Sequence, residues 1–174
     1  SYAHIFKHGA NDWFDGAGAV DFFVGIIRGL SRVVMLDFYP SGFLILGAVA
    51  ICSRVGAFFL LMGSAIGSTT GLVLGAPAEE LALGWWSYNA ALTCLAVGGV
   101  FYRASRWSVA YAILSAVWST LVYGCLRTLA LPIGLFPLFL PFFFSTLLFV
   151  LVQDAIRFLK PVRLVLIGTP ESAL

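Results

Sequence analysis

The sequence predicts an all-α integral membrane protein with six apolar segments, the last of them broken. Three observations carry that reading. Hydrophobic residues make up 61% of the 174 residues and charged residues only 10%, against roughly a quarter charged in soluble domains; mean hydropathy is +1.00. The apolar residues fall into six runs punctuated by single arginines or short polar stretches, and a helix needs about 20 residues to cross hydrocarbon. Finally, prolines and one asparagine interrupt those runs where a plain anchor would have none; backbone or amide groups freed in hydrocarbon cost several kcal/mol each, by rough estimate, unless they find partners.

The runs divide the chain into an extramembrane N-terminal segment, 1–19, a membrane domain, 20–153, and a basic tail, 154–174, carrying Arg157, Lys160 and Arg163. In the first segment Trp13 and Phe14 suit the headgroup level. His4 and His8 share a helical spacing, but without a third ligand they read as part of a solvated tail. The chain starts at Ser1, so it is expected to be processed, trimmed or part of something longer, and no signal-peptide pattern is visible.

The first run, 20–36, is amphipathic. Asp21, Arg28 and Arg32 lie seven and four apart, on one helical face. Gly25 and Gly29 add a small-xxx-small spacing for close backbone approach. Pro40 breaks the chain and starts the next segment. The runs 41–53 and 55–74 are separated by Arg54, which predicts a tight interfacial turn. The second of them carries a stripe of Gly63, Ser64, Gly67, Ser68 and Gly71, suited to helix packing. The run 81–102 follows Glu79 and Glu80, whose position after Pro77 favours a helix N-terminus. In its middle sit Trp85, Trp86, Ser87, Tyr88 and Asn89. A buried amide such as Asn89 faces a bundle interior or a wet path. The run 107–126 closes with Arg127. The last run, 129–152, contains Pro132, Gly134, Pro137 and Pro141, too dense for one regular helix, with a helix restarting near Pro141 and passing through Thr146.

Composition and spacing exclude several functions. A net charge of +2 gives no nucleic-acid footprint. Cys52, Cys94 and Cys125 are far apart within apolar runs and read as small buried hydrophobes, with no metal-ligand spacing. No nucleophile–base pair or phosphate loop is present, so the chain is read as a non-enzyme that needs no cofactor. What remains suits a small, neutral, planar polar solute. Such a solute needs a flat apolar slot and a few hydrogen-bond partners in place of lost water. Arg54, Arg103 and Arg106 would share the tail's side, with Asp37, Glu79 and Glu80 opposite and Arg127 as the exception. The positive-inside rule puts the first group in the cytoplasm or matrix.

Glu79, Glu80, Gly84, Tyr88, Asn89, Gly98 and Gly99, with 37–47 upstream and 140–149 downstream, resemble the second half of a eukaryotic urea transporter. The resemblance covers nearly the whole chain from about Gly25. It implies one half of an inverted-repeat fold with an odd number of crossings, about five transmembrane helices plus a re-entrant or broken segment, so that either 81–89 or 131–141 is re-entrant. It also implies a multi-pass channel, in the plasma membrane or an organelle membrane, that passes urea or a related small amide. Membrane lipids would surround it. Another copy or a partner half would complete the pore. By the same resemblance Arg32, Met35, Tyr88, Asn89, Leu92 and Thr146 line the solute path, and Glu79 and Glu80 stand at its mouth. Tyr88 and Leu92, four apart, would wall a slot, and the Thr146 hydroxyl can both donate and accept; read from the residues alone, they would be packing residues and a back-bonded threonine.

Two departures matter. Arg32 stands where the family has Gln or Glu, and Met35 where it has a slot Phe. Arg has donors and no acceptor. It can snorkel toward Asp37, or face the lumen with Arg28 and Asp21; the shared polar face favours the lumen. A transport-inactive structural subunit of a larger complex is the alternative function, and a path for an ion or ammonia the weaker third.

Overall fold

The structure is a computed structural model that describes residues 16–103 and 105–152. The expectations for His4, His8, Trp13, Phe14 and the basic tail lie outside these residues. Within them the chain is all helical: α1 Gly16–Arg32, α2 Pro40–Cys52, α3 Arg54–Val73, α4 Ala78–Ala82, α5 Tyr88–Leu95, α6 Arg106–Ala130 and α7 Leu140–Leu151. A π-helical turn, Ala96–Val100, extends α5, and a 3-10 turn, Leu131–Ile133, extends α6.

Helices α3, α5 and α6 pack on one another at the centre, α1 and α2 lie against α3, and α7 covers α5 and α6. The helices Arg54–Val73 and Arg106–Ile133 are 20 and 28 residues long and apolar enough to cross a membrane. At a rise of about 1.5 Å per residue, each reaches roughly 30 Å or more.

The distribution of side chains is inverted relative to a soluble bundle. Ser64, Ser87, Thr93, Ser115, Ser119 and Thr120 are fully buried, while Leu44, Ile51, Phe143 and Leu147 face outward. Lipid tails are as apolar as leucine, so nothing drives large hydrophobes inward, and small residues take the helix contacts. Helix α2 has only Ser41 and Gly42 buried. Cys94 is buried as expected, but Cys52 and Cys125 are exposed. They follow the same inversion, since an apolar side chain in this chain has no reason to hide from lipid.

Local chemistry sets the helix limits. Pro40 opens α2, and α2 and α3 meet at one residue, Ser53, whose hydroxyl accepts from the Gly56 N–H at 2.8 Å. The turn expected at Arg54 therefore forms one residue earlier, because Ser is the better N-cap. The first helix ends at Arg32 rather than at Leu36. Leu36 N–H reaches Ser31 O at 3.1 Å and Met35 N–H reaches Arg32 O at 2.9 Å. That closure needs a left-handed residue, and Met35 takes it at φ 58°. The end of α4 is closed alike, with Trp85 N–H on Glu80 O at 3.1 Å and Gly84 at φ 76°. Gly84 is required twice, because a Cβ there would also lie 2.8 Å from the Gly29 Cα.

The two glycine stripes expected from sequence are both in use. Gly25 and Gly29 of α1 face Leu81 and Ser87, and Gly63 and Gly67 of α3 face α5 and the turn before it. A Cβ on Gly67 would lie 2.8 Å from the Ser87 Cα, the Ala90 Cβ and the Trp86 carbonyl. Gly47, on the exposed side of α2, has nothing within 4 Å. Gly67→Val is therefore expected to lower stability in detergent by about 1–3 kcal/mol, the usual cost of overpacking. Gly47→Ala should leave it unchanged or raise it by up to about 1 kcal/mol. Thermal unfolding of both variants checks the contrast.

Candidate functional site

The chain is broken twice near the same place: between α4 and α5, at 83–87, and between α6 and α7, at 134–139. Each break frees backbone carbonyls, and each set of carbonyls meets side chains from another element. The phenol of Tyr88 and the Asn89 amide both donate to the Leu138 carbonyl, the amide at 3.0 Å. Leu138 has φ 41°, a conformation that turns the loop back toward α5. At the other break, Arg28 Nη1 donates to Ala82 O at 3.3 Å and Arg32 Nε to Leu83 O at 3.1 Å. Two guanidinium groups thus cap the negative end of α4.

An aromatic ladder joins the two breaks. Trp85 and Phe136 stack at 5.4 Å and 28°. The Arg32 guanidinium lies 4.0 Å over Trp85 and that of Arg127 lies 5.7 Å over Phe136. Each cation faces the negative π-cloud of its ring. Tyr88 is enclosed by ring edges, from Trp85 at 6.1 Å, Tyr123 at 6.3 Å and Phe139 at 5.8 Å.

Each site residue expected from sequence has a definite place. Tyr88 and Asn89 are both 1% exposed. Leu92 is half-buried on the same face of α5 as Tyr88. Thr146 is buried on α7, and its hydroxyl has no hydrogen-bond partner. It does not bond back within its helix. The Ser145 hydroxyl and the Asn89 Oδ1 are buried and unpartnered as well. Met35 is exposed in the turn after α1. Glu79 is exposed, and both glutamates lie in the first turn of α4, as expected from Pro77.

For Arg32 the structure shows one of the partners weighed from sequence. Its Nη2 pairs with Asp37 Oδ1 at 2.7 Å. The reason is the early end of α1: the closure at Met35 folds 33–37 back over the last helical turn and brings Asp37 to the guanidinium. Glu80 is paired too. It binds Arg127 through both oxygens, with Arg127 Nε on Oε2 at 2.9 Å, and also accepts from Trp86 Nε1 at 3.0 Å. The two paired side chains are 18% and 17% exposed. This pair explains why Arg127 breaks the sequence's charge segregation: it compensates a carboxylate at its own end of the bundle.

Sequence reasoning did not single out Trp85, Phe136 and the Leu138 carbonyl as a unit. Arg127 carried a usable signal as the one misplaced cation, but Phe136 and Leu138 look like ordinary apolar residues of a proline-rich stretch. A separate groove of about 520 Å³, bordered by Leu74, Trp86, Leu121 and Cys125, lies along α6 and is not lined by Arg32, Tyr88, Asn89 or Thr146. Among the described residues no three His, Cys, Asp or Glu side chains gather into a metal-binding group.

Because one partner left alone is a poorly solvated charge, Glu80→Gln or Arg127→Gln should each destabilise the protein by roughly 3 kcal/mol. The double variant should lose clearly less than the sum, by about 0.5–3 kcal/mol. Thermal melts of the three variants in one detergent provide the cycle, and additive losses would show that the pair is inert.

A family model described as urea transporter matches residues 2–154. Urea transporter 1 of Ovis aries is 29% identical over 124 residues, covering 71% of this chain and 32% of that protein. Urea transporter 1 of Mus musculus is 30% identical over 125 residues, with the same coverage of 71% and 32%. The match thus spans about a third of the length of these curated relatives.

Proposed function

The chain belongs to the urea transporter family and is on that ground an integral membrane protein; from this premise we propose that it forms part of a channel passing urea, or a related small neutral amide, down its gradient. In this reading 20–153 is one half of an inverted-repeat unit. Five helical crossings are completed by a re-entrant stretch, with 1–19 and 154–174 outside the membrane. One half does not enclose a pore, so a second copy or a partner half completes it.

The observation that carries the reading is the pairing of two broken helices at one carbonyl, in a bundle that also holds buried side-chain oxygens without a partner. Tyr88 and Asn89 hold Leu138 O, while Asn89 Oδ1 and Thr146 Oγ1 remain free. Discontinuous helices are the usual substrate sites of transporters. Buried polar atoms without partners call for one, and an amide solute supplies both donors and an acceptor. Glu79, exposed at the start of α4, would stand at the mouth, with Leu92 and Tyr88 forming apolar walls. A second reading, a transport-inactive membrane subunit, rests on the Arg32 guanidinium lying over Trp85, beside the stretch that the resemblance places along the solute path. Retention in a large hetero-complex after mild extraction, in place of a small homo-oligomer, would support that reading.

Protein reconstituted in liposomes, with its partner half supplied, should take up urea faster than empty liposomes; equal rates would overturn the channel. Thr146→Val keeps the side chain's shape and removes the hydroxyl. Losing one hydrogen bond of about 1 kcal/mol in the path should slow urea roughly fivefold, with thermal stability retained. An unchanged rate would put Thr146 outside the path.

A further inference from the structure

The setting of Arg32 is that of a bound ligand. Its guanidinium lies over an indole, Cζ 4.0 Å from the Trp85 ring centre. In its own plane Nε donates to the Leu83 carbonyl at 3.1 Å and Nη2 donates to the Asp37 carboxylate at 2.7 Å. The arginine side chain is 10% exposed, while that of Asp37 is 65% exposed, so the arrangement is closed behind and open at the carboxylate. The partners come from separate pieces of chain: the turn after α4 supplies Leu83 and Trp85, and the turn after α1 supplies Asp37. All three contacts are made by the guanidinium head group.

We propose that Trp85, the Leu83 carbonyl and the Asp37 carboxylate form a binding site for planar guanidinium- or amidinium-type cations, and that Arg32 is its resident, tethered occupant. The site's chemistry sets the class. An aromatic face selects a flat, weakly hydrated cation. A carbonyl and a carboxylate, both acceptors, select a group that only donates, as guanidinium does. An ammonium ion has no plane to stack. Urea has no charge to balance Asp37 and adds an acceptor oxygen. The neighbouring Arg28 is already engaged, with Nη1 on Ala82 O, and does not fill the site. While Arg32 stays in place, no free cation enters, and the site is sealed from within.

Chemical rescue tests this in purified protein. Arg32→Ala should melt lower than the starting protein. Guanidinium chloride at low millimolar concentration should restore at least half of the lost midpoint, and methylguanidinium should do the same. Sodium, ammonium and urea at equal concentration should restore none of it. The unaltered protein should not respond, because its site is occupied. Arg32→Ala combined with Trp85→Ala should not respond either. Guanidinium shifting the unaltered protein equally, or stabilising the double variant as well, would overturn the proposal. If Arg32→Ala yields no folded protein, Arg32→Gln, with a shorter planar head, goes through the same comparison with the same two decisive outcomes. A flux measurement extends the test and rests on the transport reading above. Guanidinium should inhibit urea entry through Arg32→Ala over the concentrations that raise its midpoint. Absence of urea flux in every variant would overturn the transport reading alone, because melting decides the site.

Discussion

A helix interrupted inside a bundle leaves carbonyls that water cannot reach, and in a membrane protein these must be satisfied by the protein itself. Most of the fold follows from that constraint. Arg28 and Arg32 take the carbonyls at the end of α4. Tyr88 and Asn89 take the one that precedes α7. Tyr102 and Tyr111 both donate to the Phe149 carbonyl near the end of α7, at 2.9 and 2.8 Å. Ser108 donates to the Gly98 carbonyl in the π-helical turn at 3.2 Å, and Ser64 to Ile26 O on α1 at 2.6 Å. Each donor belongs to a different element from its acceptor, so satisfying a break also fixes how two elements sit against each other. In a soluble bundle the hydrophobic effect would do much of that work; here it is weak between helices, and hydrogen bonds and close small-residue contacts replace it.

The class of the fold was legible because it rests on composition, which no tertiary contact can alter: a chain with so few charges has nowhere to be but a membrane. The breaks at prolines were legible as well, since Pro40 and Pro141 cannot sit mid-helix and mark the starts of α2 and α7; the break at 83–87 was not, because it lies inside the apolar run 81–102. The glycine faces of α1 and α3 were visible in their spacing. The end of α1 was not, because Met35 in a left-handed conformation goes against the rule that glycine closes such ends. The packing of α4 against α1 holds 28–32 and 81–84 together, and local propensity does not register it.

The candidate site was half legible, and the division is physical. Asn89 announced itself because an amide in an apolar run needs a reason, and Thr146 and Tyr88 came from the family's pattern. Their common partner did not, because a backbone carbonyl has no letter in the sequence; only the loop's path brings Leu138 O to α5. The same holds for Arg32 and Glu80. Each has an evident local role, one as a charge to be placed on a helix face and the other as an acid at a helix start. Each is claimed instead by a partner that the fold delivers, Asp37 across a turn and Arg127 across the bundle.

That both cations of the ladder are arginines is a consequence of what they must satisfy together. At Arg32 one head group meets a ring face, a carbonyl and a carboxylate; at Arg127 it meets a ring face and both oxygens of Glu80. A guanidinium can do this because its donors lie in one plane and its faces are free to stack. A lysine ammonium, with three donors around one atom, would give up the ring or one acceptor, and would hold a tightly bound hydration shell that the bundle has no room to keep. The same planarity that lets arginine bridge the two chain breaks is the property a flat amide solute would share. The machinery that closes the fold at Trp85 and the machinery that would read such a solute near Asn89 therefore share an aromatic plane that sets orientation, and they differ in what receives the donors: a carbonyl and a carboxylate at the first, the unpartnered Asn89 Oδ1 and Thr146 Oγ1 at the second.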